Sequence, residues 1–401
     1  MQSLKGDKKV WGIVFFMMIA SLVVVYSAIS NLAWRGSGSG HVLSMTFKHG
    51  LHLVIAIVIM YFVHKKPYKY FSSIAVLLLP VVVLMLIFTL FQGKEIDGAN
   101  ASRWIQVPFI GMSIQPSSVA TVILYTYVAR YLSRIQDKKV TFKEAALPLW
   151  LPILAVVLPI LPANFSTAAL LVLNLGVILI IGRYPLKHLV LMFSVGAIIL
   201  TLFIGMAMKF PDAFPNRAHT WVSRIESFMS DDEKEEQYQV ESAKIAIAMG
   251  GVLGQGPGKS IQKNHLPQSS SDFIFAIVIE EFGILGAFSL MFLYFALLFR
   301  VMVISRKAPT IFGSLLVLAL GIPIVLQALV NMAVAVGLFP VTGQPLPLIS
   351  SGGTSIWMIA AAIGMIISVS RETQELENQE ETDDLENIDK ELISQEVEEV
   401  I

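Results

Sequence analysis

The chain has no cysteine among its 401 residues, and only 14 % of them are charged. The first absence excludes disulfide bonds, thiolate metal ligands and cysteine nucleophiles. The second separates the chain from soluble domains, in which about 25 % of residues are charged. What fills the sequence instead is apolar: 55 % of the residues are hydrophobic and the mean hydropathy is +0.70. These values indicate a membrane protein.

The formal net charge of zero is the sum of two oppositely charged parts. Residues 372–401 contain 13 acidic residues and one lysine, whereas residues 1–371 carry 28 Lys or Arg against 16 Asp or Glu. Such an acidic segment with few apolar residues is typical of disordered chain. We therefore expect a membrane domain over residues 1–371 and a disordered cytoplasmic tail over residues 372–401.

Ten apolar runs are long enough to cross a bilayer as helices, which needs about 20 residues each. The first follows Lys8 and Lys9 and is too long for the core of a signal peptide, so we interpret it as a membrane span. The predicted fold is all-α and polytopic, with about ten transmembrane helices. The runs lie at roughly 10–30, 46–63, 71–91, 116–134, 146–161, 165–182, 187–208, 273–299, 311–337 and 350–370.

Lysines and arginines gather in alternate short loops, which predicts that these loops and both termini face the cytoplasm. The members of this set include Lys5, Lys8, Lys9, Lys65, Lys66, Lys69, Arg130, Arg134, Arg183, Lys187, Arg300, Arg306, Lys307 and Arg371. The longest connection, residues 209–272 between the seventh and eighth helices, then lies on the exoplasmic side. Loops of this length inside a compact protein are usually functional or disordered.

The run GQGPGKS at residues 254–260 has the look of a nucleotide-binding phosphate loop. Such a loop requires a glycine where this chain has Leu253, and it follows a strand, which the sequence does not predict here. An exoplasmic position also removes it from the ATP pool. We still expect the glycine-rich stretch 250–258 to bring backbone N–H groups close to some other phosphate.

The long loop also carries cations that could bind an anionic group, because arginine offers two parallel donors to phosphate oxygens. The candidates are Arg217, Arg224, Lys259 and Lys263. An ordinary solvated loop would carry similar charges, so the composition alone leaves both interpretations open.

Asp272 is the last polar residue before the apolar eighth helix. It could be a helix N-cap, which accepts backbone hydrogen bonds at the positive end of the helix. It could equally be a general base at the membrane–water boundary. Glu280 and Glu281 follow and, in a straight helix, would lie about 12–14 Å deeper. Acids near the middle of a membrane are costly and rarely idle, so we expect a supporting role for them.

Two further exoplasmic stretches, at 97–118 and 339–355, are rich in proline, glycine and hydroxyl residues. Non-helical backbone at membrane depth is tolerated where it lines a cavity. We expect the second stretch to line one through Thr342, Pro345 and Ser351.

YQVESAKIAIAMGGVLGQGPGKSIQKNHLPQSSSDFIFAIVIEEFG (238–283) and PVTGQPLPLISSGGTS (340–355) carry a resemblance that covers nearly the whole chain except the acidic tail. In order, spacing and membrane placement they resemble the SEDS (FtsW/RodA/SpoVE) family of bacterial cell-wall proteins. The resemblance implies that Asp272 is the catalytic acid of the family's His-Thr-Asp-Phe motif. It also implies substrate binding at Ser260 and Gln262, which match the motif around Lys263.

The resemblance implies a peptidoglycan glycosyltransferase that polymerises lipid II into glycan strands at the outer face of the bacterial cytoplasmic membrane. Its implied ligands are lipid II and the undecaprenyl-pyrophosphate-linked glycan, with no nucleic acid. Its implied partners are a class B penicillin-binding protein and other division membrane proteins. We favour a role at the division septum over the elongation role, and keep a lipid II flippase or a scaffold as rivals. Mg²⁺ or Mn²⁺ is a possible cofactor, with no ligand assigned.

The chain departs from the family pattern at several positions. Ser270 and Ser271 replace His-Thr before Asp272, and Gln268 replaces a glutamate. Ser118 and Thr121 replace a Glu and a Lys together, which is consistent with the joint removal of an ion pair. The stretch Pro162–Thr167 lacks the acid of the corresponding family motif. These positions therefore receive no functional role from the resemblance.

Overall fold

A computed structural model gives the structure of the chain and describes residues 5–30, 38–92, 104–106, 113–136, 138, 140–209, 235–266 and 269–400. Two short antiparallel strands, β1 (Ile105–Gln106) and β2 (Ser113–Ile114), precede the fourth helix. All other regular elements are helices, so the predicted all-α class is confirmed. The helices are α1 (Lys8–Ile29), α2 (Gly38–His64), α3 (Lys69–Gln92), α4 (Pro116–Ile135), α5 (Phe142–Ala163), α6 (Phe165–Ile181), α7 (Leu186–Lys209), α8 (Glu235–Gly250), α9 (Ile274–Lys307), α10 (Ile311–Ala335) and α11 (Gly353–Val400).

Each of the ten predicted spans coincides with a helix, and α8 is an additional helix within the long loop. Seven helices in the described ranges are long and apolar enough to cross a membrane, namely α1, α2, α3, α5, α9, α10 and α11. The apolar parts of α6 and α7 are shorter. The chain is therefore a multi-pass membrane protein, while the count of ten crossings stays a prediction.

The interior of the bundle is formed mainly by α10 and α11, whose apolar windows are 61 % and 67 % buried. α11 packs along α2, and α10 packs along α9 and α4. Helix α3 lies at the periphery, where Leu77 and Phe91 are 74 % and 84 % exposed. Large apolar side chains exposed along a helix of this length are expected to face lipid.

One end of the bundle holds several of the lysines and arginines that the sequence assigns to the cytoplasm, and we call it the basic end. Its contacts join α1, α3, α9 and α11. The ion pairs are Lys5–Glu375 at 3.1 Å, Lys69–Glu372 at 3.1 Å, Lys307–Glu377 at 3.0 Å and Arg300–Asp7, with Arg300 Nε 3.0 Å from Asp7 Oδ2. These pairs bring Lys5, Lys69, Arg300 and Lys307 together at one end, while the cytoplasmic placement of the whole basic set stays a prediction.

The acidic tail differs from the expectation of disorder, because α11 continues without a break to Val400. A helix that extends an existing packed helix needs no new nucleus, and nucleation is the costly step. Glutamate, glutamine and leucine, common in this segment, also favour helix. Ion pairs to the basic end then hold its first turns at Glu372, Glu375 and Glu377.

Candidate active site

Helix α9 is interrupted at Gly283, where φ is 68° and ψ is −168°. The interruption removes backbone hydrogen bonds on both sides of this glycine. The stretch that follows α8 supplies replacements from outside the helix. They are Gln255 N to Glu280 O at 2.9 Å, Gly256 N to Glu281 O at 3.0 Å, Ile284 N to Gly251 O at 2.9 Å and Leu285 N to Val252 O at 3.3 Å.

The backbone of the glycine-rich stretch approaches that of α9 so closely that only glycine fits at the contact positions. A Cβ atom on Gly250 would lie 2.1 Å from Ile279 O, and one on Gly254 would lie 2.2 Å from Glu281 O. Gly254 also has a φ of 78°, which other residues rarely adopt. At Gly283 a Cβ would meet Val252 O at 2.2 Å. The glycine-rich stretch is therefore fitted to the interrupted helix.

For residues 254–256, this packing corrects the expectation that the stretch 250–258 presents its N–H groups to a phosphate. The N–H groups of Gln255 and Gly256 bond to α9, and that of Gly254 bonds to Gly250 O at 2.8 Å. A backbone donor already bonded to protein cannot also hold an anion in the same geometry. At these three residues the glycines serve the packing against α9, and phosphate binding by the rest of the stretch stays a prediction.

Glu280 is fully buried and accepts hydrogen bonds from the segment that follows the glycines. The donors are Ser260 Oγ, Ile261 N at 2.8 Å and Gln262 N at 3.2 Å. Several donors to one carboxylate offset much of the cost of burying its charge. Glu280 consequently anchors residues 260–262 to α9.

Glu281 is also buried and contacts the last turn of α1, where Ser27 Oγ donates to its carboxylate. Ser260 N lies 3.4 Å from the same carboxylate oxygen. Because Ser27 is two residues from the end of α1, Glu281 lies near that end and not at mid-membrane. The separation of about 12–14 Å from Asp272 was estimated over residues that precede the interruption at Gly283, and it stays a prediction.

Lys263 lies beside this pair of acids and is only 7 % exposed. Its Nζ donates to Gly258 O at 2.7 Å and to Ser30 Oγ at 3.0 Å. Burial lowers the pKa of Lys263, and the charges of Glu281 and Glu280 oppose this by raising it. The lysine thus binds protein groups within a buried polar cluster, whereas Lys259 is exposed and Gln262 is half-buried.

Asp272 is half-buried in a turn at residues 269–273 that leads into α9. The helix N-cap is Phe273, with no side-chain cap hydrogen bond. Beneath the turn, Phe273, Ala276 and Ile277 form a small core with α8 and the end of α10. The assigned N-cap is thus the neighbouring residue, and both the capping role and the general-base role of Asp272 stay predictions.

Residues 339–352, between α10 and α11, are non-helical and pack against this turn; we call them the linking segment. Side chains from three helices donate to its backbone carbonyls. These bonds are Asn331 to Gln344 O at 2.8 Å, Gln327 to Pro345 O at 2.9 Å, Tyr294 to Pro347 O, and Ser21 to Ile349 O at 2.7 Å. Non-helical backbone at membrane depth requires such partners.

The linking segment contains the three predicted cavity residues. Ser351 N donates to Ser270 O at 2.9 Å, while Thr342 and Pro345 are half-buried. A Cβ on Gly343 would lie 3.6 Å from Asp272 Oδ2, which brings the segment beside the carboxylate. Arg217 and Arg224 lie outside the described residues.

Sequence reasoning missed the polar side chains that hold the linking segment. Ser21 also bonds His49 Nε2 at 2.9 Å, and the OH of Ser21 donates to Ile349 O. Asn331 and Tyr294 are buried and Gln327 is half-buried. Each is a polar residue inside an apolar helix, and such residues are functional candidates by default. That signal was present in the sequence.

The described residues contain no group of three or more His, Cys, Asp or Glu side chains that could hold a metal ion. The expectation of a metal stays a prediction.

The arrangement defines a class: a multi-pass membrane protein with a half-buried acid at a helix start, opposite the basic end. Residues 7–375 match the FtsW/RodA/SpoVE family of cell cycle proteins. The chain belongs to this family.

Relatives in several bacteria are similar over most of their length. A probable peptidoglycan glycosyltransferase FtsW of Halomonas elongata is 31 % identical over 373 residues, covering 91 % of this chain and 90 % of the relative. One of the same name from Hydrogenovibrio crunogenus is 32 % identical over 386 residues, covering 93 % and 94 %. Stage V sporulation protein E of Bacillus subtilis is 28 % identical over 363 residues, covering 90 % and 95 %.

Two solved structures have the same fold. A chain of a peptidoglycan synthase complex has a TM-score of 0.69 at 24 % identity, covering 92 % of this chain and 98 % of that one. Rod shape determining protein RodA of Thermus thermophilus has a TM-score of 0.62 at 22 % identity, covering 92 % and 97 %. The fold is therefore that of this family.

Proposed function

We propose that the protein is a peptidoglycan glycosyltransferase that polymerises lipid II at the outer face of the bacterial cytoplasmic membrane. Relatives at 31 % and 32 % identity carry the name peptidoglycan glycosyltransferase, which supports this activity. The observation that carries the proposal is Asp272, held half-buried against the linking segment at the end of the bundle remote from the basic end.

Asp272 acts as the general base. It takes the proton of the 4-hydroxyl of the GlcNAc on an incoming lipid II. The hydroxyl oxygen forms a bond to C1 of the MurNAc at the end of the growing chain. The bond from C1 to the pyrophosphate oxygen breaks, and undecaprenyl pyrophosphate leaves. One displacement inverts the α-linkage and gives a β-1,4 bond, with no nucleotide required.

The departing pyrophosphate gathers negative charge, which cations in a site of low dielectric stabilise. Lys259 is exposed and available for this role, whereas Lys263 already binds Gly258 O and Ser30. Arg217, Arg224 and Gln262 complete the proposed binding set, whereas the buried Ser260 hydroxyl already donates to Glu280. A Mg²⁺ or Mn²⁺ requirement is tested by chelation with EDTA followed by return of each ion.

The proposal extends to partners and place. The fold likeness to a chain of a peptidoglycan synthase complex supports assembly with a transpeptidase, a class B penicillin-binding protein. The name FtsW among the relatives supports a role at the division septum with other division membrane proteins. Co-purification from division-arrested and elongating cells separates this role from one in elongation.

The test is lipid II polymerisation by the purified chain with its transpeptidase, wild type beside Asp272→Asn. Loss of a general base costs about 10²–10⁴-fold in rate. We expect normal insertion of the variant and almost no glycan strands. A variant rate near that of the wild type contradicts the assignment. A wild type that moves labelled lipid II across proteoliposomes without polymerising it would instead be a transporter.

A further inference from the structure

Three consecutive backbone carbonyls, those of Ser270, Ser271 and Asp272, each accept a hydrogen bond from outside their own turn. Ser351 N donates to the first at 2.9 Å, and Ser350 Oγ donates to the second at 2.5 Å. Asn331 Nδ2 donates to the third at 2.8 Å. The backbone that carries the proposed base is therefore held from the linking segment and from α10.

Asn331 holds two segments with one amide group. Its Nδ2 donates to Asp272 O and to Gln344 O, both at 2.8 Å, so both amide hydrogens are used. Both neighbours are carbonyl oxygens, which only accept, so the NH₂ end must face them. Asn331 is 1 % exposed, and Oδ1 has no hydrogen-bond partner among the described residues. The donor end is the part of this side chain that the site uses.

We propose that Asn331 is a positioning residue that fixes Asp272 against the linking segment for the reaction. The inference rests on the proposed function of Asp272 as general base. It deepens that function by assigning the orientation of the base to a neutral amide four residues from the end of α10. Misplacement of a reacting group by about 1 Å can cost 10²-fold in rate, so a positioning bond has a measurable effect.

Gln327 provides a matched control on the same helix, four residues earlier. Its Nε2 donates to Pro345 O at 2.9 Å, which is the same type of bond to the same linking segment. Among the described residues, the hydrogen bond of Gln327 runs to the linking segment and not to the turn of Asp272. Asn331→Leu and Gln327→Met each remove the amide and keep a similar volume. A purely structural contribution to the linking segment would affect both variants alike.

The experiment measures lipid II polymerisation by the full chain with its transpeptidase, as kcat and KM, for both variants. We expect Asn331→Leu to lower kcat by about 10- to 100-fold with KM within about threefold of the wild type. We expect Gln327→Met to keep both constants within about threefold. Asn331→Asp should lower kcat further than Asn331→Leu, because a carboxylate would face two carbonyl oxygens.

The inference is overturned if folded Asn331→Leu keeps at least half of the wild-type kcat, loses no more than Gln327→Met, or loses activity through KM alone. If Asn331→Leu does not give monodisperse protein in detergent, Ser350→Ala takes its place, because it removes the bond to Ser271 O. A kcat loss in Ser350→Ala supports the positioning role of the turn, and a wild-type kcat overturns it.

Failure of the proposed function gives a different result. An inactive wild type, or an active Asp272→Asn, contradicts the proposed function of Asp272 itself, whatever the Asn331 variants show. An active wild type with an inactive Asp272→Asn and a fully active Asn331→Leu overturns only the positioning role.

Discussion

The two ends of the bundle are held together by different interactions. At the basic end, two of the ion pairs, Lys5–Glu375 and Lys307–Glu377, lie between exposed side chains, the latter at 59 % and 51 % exposure. At the opposite end, the turn of Asp272, the linking segment and the interruption of α9 are joined by hydrogen bonds to backbone groups, many of them buried.

The two kinds of interaction differ in how much stability the protein loses when one partner is removed. An exposed ion pair contributes about 0–1 kcal/mol and is replaceable by water and salt. A buried backbone group without its partner costs about 1–3 kcal/mol, and no solvent replaces the bond. The opposite end must therefore be far more sensitive to single changes, which is what a site that positions a reacting group requires.

The largest effect is expected at Gly254. Its Cβ would lie 2.2 Å from Glu281 O, so Gly254→Ala should separate the glycine-rich stretch from α9. We expect at least a tenfold lower yield of monodisperse protein in detergent, since clashes with backbone belong to the few mechanisms that exceed about 4 kcal/mol.

Gly258→Ala is the control for Gly254→Ala. Gly258 also has a positive φ, 80°, but a Cβ there meets nothing within 4 Å. It should cost only the strain of a left-handed residue, about 1–2 kcal/mol. Equal yields for the two alanine variants would contradict the steric argument.

An intermediate effect is expected at Asp7, which is 4 % exposed at the basic end. Its side chain caps α1 by accepting from Lys9 N at 2.9 Å and Val10 N at 3.1 Å, and it pairs with Arg300. Asp7→Ala should cost about 2 kcal/mol or more, from the lost cap and the unpaired arginine. Asp7→Asn keeps a capping oxygen and should cost about half as much. Melting temperatures in detergent measure both costs. If Asp7→Asn is as unstable as Asp7→Ala, the capping oxygen does not contribute to stability.

The smallest effect is expected at Glu377, whose partner is Lys307 at 3.0 Å. Glu377→Gln should change stability by less than about 0.5 kcal/mol at low salt, because both side chains are exposed. The difference should vanish at 1 M NaCl, where the screening length falls to about 3 Å. A loss comparable with that of Asp7→Ala would overturn the contrast between exposed and buried interactions at this end.

Hydropathy and the distribution of Lys and Arg predicted the helices and the basic end from the sequence, since both follow from composition along the chain. They did not predict the pairing of Gln255 and Gly256 with α9, because the partners lie 25 residues apart and Gly283 resembles an ordinary glycine in an apolar helix. Because this backbone pairing was not predicted, the glycines of GQGPGKS were interpreted as part of a phosphate-binding stretch.

The candidate site was predicted in part. Motif resemblance selected Asp272 and the linking segment, and the structure brings them together. It gave no reason to select Asn331, Gln327 or Tyr294, whose importance depends on which carbonyls they reach. Tail disorder was inferred from charge, which ignores the packed helix that the tail extends.

Helix α11 spans 48 residues without interruption, about 72 Å at 1.5 Å per residue. It begins at Gly353, two residues after Ser351, whose N–H holds the turn of Asp272. Its other half carries the acidic residues of the tail. A single continuous helix therefore connects the turn of Asp272 with the acidic tail. A protein bound to the acidic half would therefore contact the same helix that begins beside the proposed base.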